Sequence, residues 1–117
     1  MYTSIYMFPI LDVHAETFLQ IQKAAAERYI ALGALSEETF APANREGRYD
    51  YLGGFGSLEL REDETLYIGM SRFRDQAHHD RVSEKADHDP EIIELFEKLT
   101  AIVDVNRILR GEFTQVA

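Results

Sequence analysis

The chain reads as an α+β fold, with one antiparallel sheet covered by helices on one side. Three observations predict this. Runs of β-branched and aromatic residues over 2–8 and 65–73 have strand composition. Two stretches repeat apolar residues at helical spacing. No repeat, linker or low-complexity segment interrupts the 117 residues, so 1–117 is expected to be one domain, long enough to bury its own core.

The elements follow in order. "YTSIYMF", residues 2–8, is a strand that Pro9 is expected to end. Asp12 is the expected N-cap of a helix over about 13–32, with Gly33 as its stop. Phe18, Ile21, Ala25, Tyr29 and Leu32 form its apolar face. A second strand is expected over 34–40, then a long loop, "APANREGRYDYLGGFGS", over 41–57. "SLELRE" reads as a short strand, "REDE" as a turn and "TLYIGMSRF" as a strand. Asp75 can cap a helix reaching about residue 88, and Asp89-Pro90 is a second start signal with Pro at the first helical position. Ile92, Leu95, Phe96, Leu99 and Ile102 share a face of that third helix, and "VNRILRGEFTQV" closes the chain as a strand.

The order β-α-β-β-α-β, with its second helical region split, is the ferredoxin-like pattern. Such a sheet leaves one face bare. Two copies meeting through that face would form a homodimer, a dimeric α/β barrel.

Composition narrows the function. A formal charge of −9, from 21 acidic against 12 basic residues, argues against nucleic acid as a partner. The absence of cysteine excludes disulfides, thiolate catalysis and Cys-ligated zinc. The N-terminus lacks the pattern of a signal peptide, and no apolar run reaches the roughly 20 residues of a membrane span. A cytoplasmic protein, without membrane contact, is expected. Nothing in the sequence implies a cofactor.

The stretch "DQAHHDRVSEKADHDPEI" holds three of the four histidines. At about 100° per residue, His78 shares a face with Val82 and Ala86 and is expected to turn toward the sheet as a structural, hydrogen-bonded histidine. His79 falls at the edge of that face, and His88 points to solvent; both read as surface residues. No two histidines have the i, i+4 spacing that sets imidazoles on one metal, so no metal site is expected. His14, near the start of the first helix, has no visible partner.

Strand alternation separates two sheet faces. The aliphatic set (Ile5, Met7, Leu66, Ile68, Met70) is expected to pack on the helices. The mixed set is then expected to look away from them: Tyr6, Phe8, Tyr67, Ser71, Phe73, Arg110 and Glu112. Tyr6, Tyr67, Ser71, Arg110 and Glu112 are accordingly the candidate ligand-binding residues, in a cavity between the sheets of two copies. Tyr would donate hydrogen bonds, Arg110 hold an anion and Glu112 move a proton. A simple salt bridge between Arg110 and Glu112 is the plainer reading of that pair. On this arrangement the histidine-rich stretch lies on the wrong side of the sheet for an active site. "GGFG" precedes a strand rather than a helix, which is the wrong context for a phosphate loop. Tyr49, Tyr51 and Phe55 of the long loop are aromatic groups that would cover a pocket or reach across a dimer.

"AHHDRVSEKADHDP", residues 77–90, resembles the pattern A-H-x-D-R-V-x-x-K-x-x-x-D-P of the YbaA-like family, bacterial proteins of unknown function in the dimeric α/β barrel superfamily. "REDETLYIGMSRF" and "RILRGEF" resemble its neighbouring and closing strands, with Glu112 where the family has a second Gly. The resemblance implies a ferredoxin-like subunit that pairs sheet to sheet as a homodimer, and it supplies no catalytic residues. Within the motif, Asp89 and Pro90 are accounted for by helix capping, and His78 and Asp80 are candidates for a structural hydrogen-bond network. The expected function is a homodimer binding a small organic ligand between its sheets. The alternatives are a non-catalytic dimeric module and a cofactor-free monooxygenase or isomerase.

Overall fold

The structure, a computed structural model, describes residues 1–49 and 59–117. Four strands, β1 (Tyr2–Leu11), β2 (Ser36–Phe40), β3 (Glu64–Phe73) and β4 (Leu109–Thr114), form one antiparallel sheet in the order β2-β3-β1-β4. Helix α1 (Ala15–Leu32) joins β1 to β2, and α2 (Gln76–Asp87) and α3 (Pro90–Thr100) join β3 to β4. This is the ferredoxin-like arrangement. The segment "GGFG", Tyr51 and Phe55 lie outside the described residues; Tyr49 is exposed.

Several boundaries differ from the sequence reading: β2 starts at Ser36 instead of residue 34, and the closing strand starts at Leu109 instead of residue 105, because Val105–Arg107 form a 3-10 turn capped by the Asp104 carboxylate. Pro9 does not end β1, because β4 pairs with β1 only up to Met7↔Leu109. Beyond that point the missing N–H of Pro9 deprives no neighbour. Residues 59–61 are not in a strand; β3 starts at Glu64, which is buried and ion-paired to Arg107 at 2.5 Å. Asp12 caps no helix; its carboxylate accepts from the Thr65 hydroxyl at 2.7 Å, and a short 3-10 turn over Asp12–His14 leads into α1.

Local chemistry sets the other ends. Gly33 stops α1 at φ 121°, a conformation that side-chain-bearing residues avoid. The Asp75 carboxylate accepts from the His78 N–H at 2.8 Å and caps α2. The Asp89 carboxylate accepts from the Ile92 N–H and caps α3, with Pro90 at the first helical position. Asp89 also takes the Arg28 Nε hydrogen bond at 2.9 Å, which ties α1 to the α2–α3 junction and holds its carboxyl below the usual range.

The faces of the sheet are the reverse of the sequence expectation. Tyr6, Phe8 and Ile10 of β1 and Tyr67 of β3 pack under the helices with Phe18, Ile21 and Leu99. Phe8, Phe18 and Tyr67 touch ring to ring at centroid distances of 5.1 and 5.0 Å. Phe73 packs there too, with Val82 and Ala34. Ile5, Met7, Ile68 and Met70 are left half-buried on the open face, opposite one another in the register. On that face Phe40, Leu109 and Phe113 are 43, 52 and 56% exposed. The reason is size. The rings bring more apolar area per residue than the aliphatic side chains, and burial beneath helices favours the larger set at roughly 25 cal/mol per Å². Among the described residues, no helix is long and apolar enough to cross a membrane.

Candidate functional site

Register places two polar rows across the sheet's helical face. One runs Glu37–Ser71–Ser4–Glu112 over β2, β3, β1 and β4, and the next runs Thr39–Gly69–Tyr6–Arg110. Above them lies a cleft of about 870 Å³ between the sheet and all three helices. Its space comes from small side chains on its walls: Ala25 and Ala26 of α1, Ala86 of α2 and Gly69 on the floor. A Cβ at Gly69 would meet the Phe8 ring at 3.0 Å. Phe8, Ile21, Ile92, Leu95 and Leu99 make most of the lining apolar.

Arg110 stands at one end. Its Nε donates to the Tyr6 hydroxyl at 3.0 Å, its Nη1 to Glu112 at 2.6 Å and its Nη2 to Ser4 at 3.4 Å. Nη2 also meets His79 Nε2 at 3.2 Å. A guanidinium only donates, so that nitrogen of His79 accepts. Nδ1 then carries the proton and donates to Asp80 at 2.9 Å. Burial works against the charge on Arg110, but its bonds to Tyr6 and Glu112 outweigh this and hold it above an ordinary arginine. The Glu112 carboxyl is held low, first by the Tyr2 hydroxyl and then by Arg110.

Glu37 stands at the other end. Burial pushes its carboxyl up to about 7, against the lowering effect of the Ser71 hydroxyl, which donates to it at 2.7 Å. Its second oxygen, Oε1, is buried without a hydrogen-bond partner among the described residues. Tyr29 of α1 lies on the same cleft. Burial raises its hydroxyl to about 12, and it feels Tyr6, Glu37, Asp87 and Arg110.

Of the residues singled out from sequence, Tyr6, Ser71 and Arg110 line this cleft. Glu112 stands behind Arg110, and Tyr67 is buried in the ring stack beside Phe18. All five are on the helical face, not in a space between two sheets. His79 is likewise buried and touches Arg110, so the histidine-rich stretch borders the site instead of lying across the sheet from it. His78 bridges the Gly33 carbonyl at 2.8 Å and the Arg74 N–H at 3.0 Å. Glu37, Tyr29, Ser4 and His79 were not among the sequence candidates. Alternation in 36–40, matched to Ser71, would have found Glu37. His79, Asp80 and Glu112 place ligand atoms within 4.8 Å of one another, but the Arg110 guanidinium bonds two of the three and already supplies the positive charge there.

A family model for proteins of unknown function, DUF1428, matches residues 1–101. The chain belongs to that family. No curated protein matches it in sequence. Among solved structures, an antibiotic biosynthesis monooxygenase aligns over 100% of both chains at TM-score 0.65 and 12% identity. A variant of SnoaB, a cofactor-independent oxygenase from Streptomyces nogalater, aligns at TM-score 0.62 and 14% identity, covering 99% of this chain and 93% of that one. A dimeric ferredoxin-like protein from an uncultured marine organism aligns at 0.63 and 12%, covering 99% and 95%. At these identities the likeness concerns the fold, which this chain shares with them.

Proposed function

We propose that this DUF1428 chain is a homodimeric α/β-barrel subunit that binds a small organic ligand in the cleft between its helices and its sheet. The ligand would have an apolar body and a polar, anionic or phenolic end. One observation carries the reading: an 870 Å³ apolar cleft ends on the Tyr6 hydroxyl, which is itself engaged by the Arg110 guanidinium. A hydroxyl accepting from a cation is a stronger donor to a third oxygen. An apolar hollow with few convergent polar groups is the usual form of a small-molecule site.

The half-exposed apolar side chains of the open face, and the dimeric description of one structural neighbour, support pairing of two copies through the sheets. The likeness of residues 77–90 to the YbaA-like pattern supports a bacterial origin. The test is a thermal melt against a panel of small carboxylates, phenols and quinones, with Arg110→Met as control. The reading expects a ligand-dependent rise in Tm that the variant loses. No rise with any compound would favour a dimeric module without a ligand.

A second reading is cofactor-free oxygenation of the bound ligand, supported by the names of the monooxygenase and oxygenase neighbours. Oxygen uptake with a ligand that raises Tm would separate turnover from binding alone.

A further inference from the structure

We propose that Glu37 is a proton acceptor in this cleft, acting on an enolisable carbonyl compound of about one aromatic ring's size whose oxygen is held by Tyr6 backed by Arg110. The proposal rests on the binding reading above and assigns that site a reaction class, proton transfer at carbon.

The geometry has two ends. Glu37 and Arg110 sit on the outer strands β2 and β4, three strand spacings apart, or about 14 Å at the backbone. Their side chains reach inward from both ends. Ser71 bonds Glu37, Arg110 bonds Ser4, and Ser4 and Ser71 are direct cross-strand neighbours. The floor between the two ends carries Ser4, Ser71 and Gly69 beside the Tyr6 ring, and a molecule lying on it meets a carboxyl at one end and the Tyr6–Arg110 pair at the other. Tyr29 of α1 lines the same cleft as Glu37 and Arg110.

The chemistry suits these ends. A carboxylate that abstracts a proton from carbon needs poor solvation and a free oxygen; Glu37 lines the cleft, and its Oε1 has no hydrogen-bond partner among the described residues but is closed off from the cleft, so the carboxyl group must turn to present it. The groups facing Glu37 are Ser71 of β3 and Tyr29 of α1, with Tyr6 of β1, Asp87 of α2 and Arg110 of β4 acting on the same Tyr29. Its carboxyl titrates at about 7, so the base form is present at neutral pH. In the step, the C–H bond next to the carbonyl breaks and its proton forms an O–H on Glu37. The electron pair moves into the carbonyl, and the enolate oxygen takes a hydrogen bond from Tyr6, with the Arg110 charge behind it. Return of the proton to carbon completes an isomerisation or exchange. No oxidant, reductant or metal enters the balance.

The experiment follows deuterium incorporation at C3 of phenylpyruvate, and at the α-carbon of two aryl ketones, by proton NMR in D2O. Each probe is first checked by its effect on Tm. For a probe that raises Tm, the wild type should exchange about 100-fold faster than Glu37→Gln, a typical general-base contribution. The rate should rise through a midpoint near 7. Ser71→Ala, which keeps the carboxyl but removes the hydrogen bond that lowers it, should move that midpoint upward. Binding with exchange no faster than in Glu37→Gln overturns the role of Glu37 and leaves the binding reading intact. If no probe raises Tm, this proposal falls, and the panel of carboxylates, phenols and quinones decides the binding reading separately.

Discussion

The Ser71 hydroxyl donates to Glu37 at 2.7 Å across the β2–β3 pair, and this bond favours the charged form of a carboxyl whose burial opposes it. The consequence for stability has a definite sign. The folded-state value, about 7, lies above the reference value of 4.5, so the folded protein binds the extra proton between them. This contribution is fully present below about pH 4.5 and is lost as pH rises through 7. Urea melts of Glu37→Gln against wild type should therefore show the variant gaining on the order of 2 kcal/mol, relative to wild type, between pH 4.5 and pH 8. A difference independent of pH would contradict the assignment.

Gly69 keeps the floor open. An alanine there sets a Cβ 3.0 Å from the Phe8 ring and 3.6 Å from Tyr6 Cβ. Gly69→Ala should cost about 1–2 kcal/mol by overpacking. Gly69→Val should weaken any cleft ligand more than tenfold in Kd, a loss of roughly 1.4 kcal/mol or more. Isothermal titration with a compound that raises Tm reads this directly.

His78 is a structural pin. Its ring joins the turn after α1 to the loop before α2 through Gly33 and Arg74. His78→Ala would remove the partner of the Gly33 carbonyl and the Arg74 N–H and should lower stability by about 1–2 kcal/mol. Glutamine, which keeps one donor and one acceptor, should recover part of it. Chemical denaturation of both variants measures the difference.

The open face should hold two copies together. Met7→Glu places a charge among Ile5, Ile68 and Leu109 without touching the cleft. Sedimentation equilibrium should find wild type as a dimer and the variant as a monomer; a wild-type monomer would remove the barrel from the account.

Much of the fold was legible in the residues because its signals are local. Gly33, Asp75 and Asp89-Pro90 mark helix ends by their own chemistry, and the Phe18–Leu32 periodicity identifies α1. The site was less legible, and the cause is the strands. Both alternating sets of β1 and β3 are apolar, Ile5 and Met7 against Tyr6 and Phe8, so alternation gives two faces without saying which one the helices cover. That choice rests on Phe18 meeting Phe8 and Tyr67, a contact between distant segments. Pro9 misled for a similar reason, since its tolerance depends on where β4 stops pairing. Once the faces reverse, Tyr6, Ser71 and Arg110 move together into the cleft and His79 joins them.

The central claim is the location of the ligand, and isoleucine methyls decide it. Ile21 and Ile92 line the cleft, while Ile5 and Ile68 lie on the open face. In protein labelled at the isoleucine δ1 methyls, titration with a compound that raises Tm should shift Ile21 and Ile92 and give them ligand NOEs, leaving Ile5 and Ile68 unchanged. Shifts and NOEs at Ile5 and Ile68, with Ile21 and Ile92 silent, would put the ligand between two sheets and contradict the account.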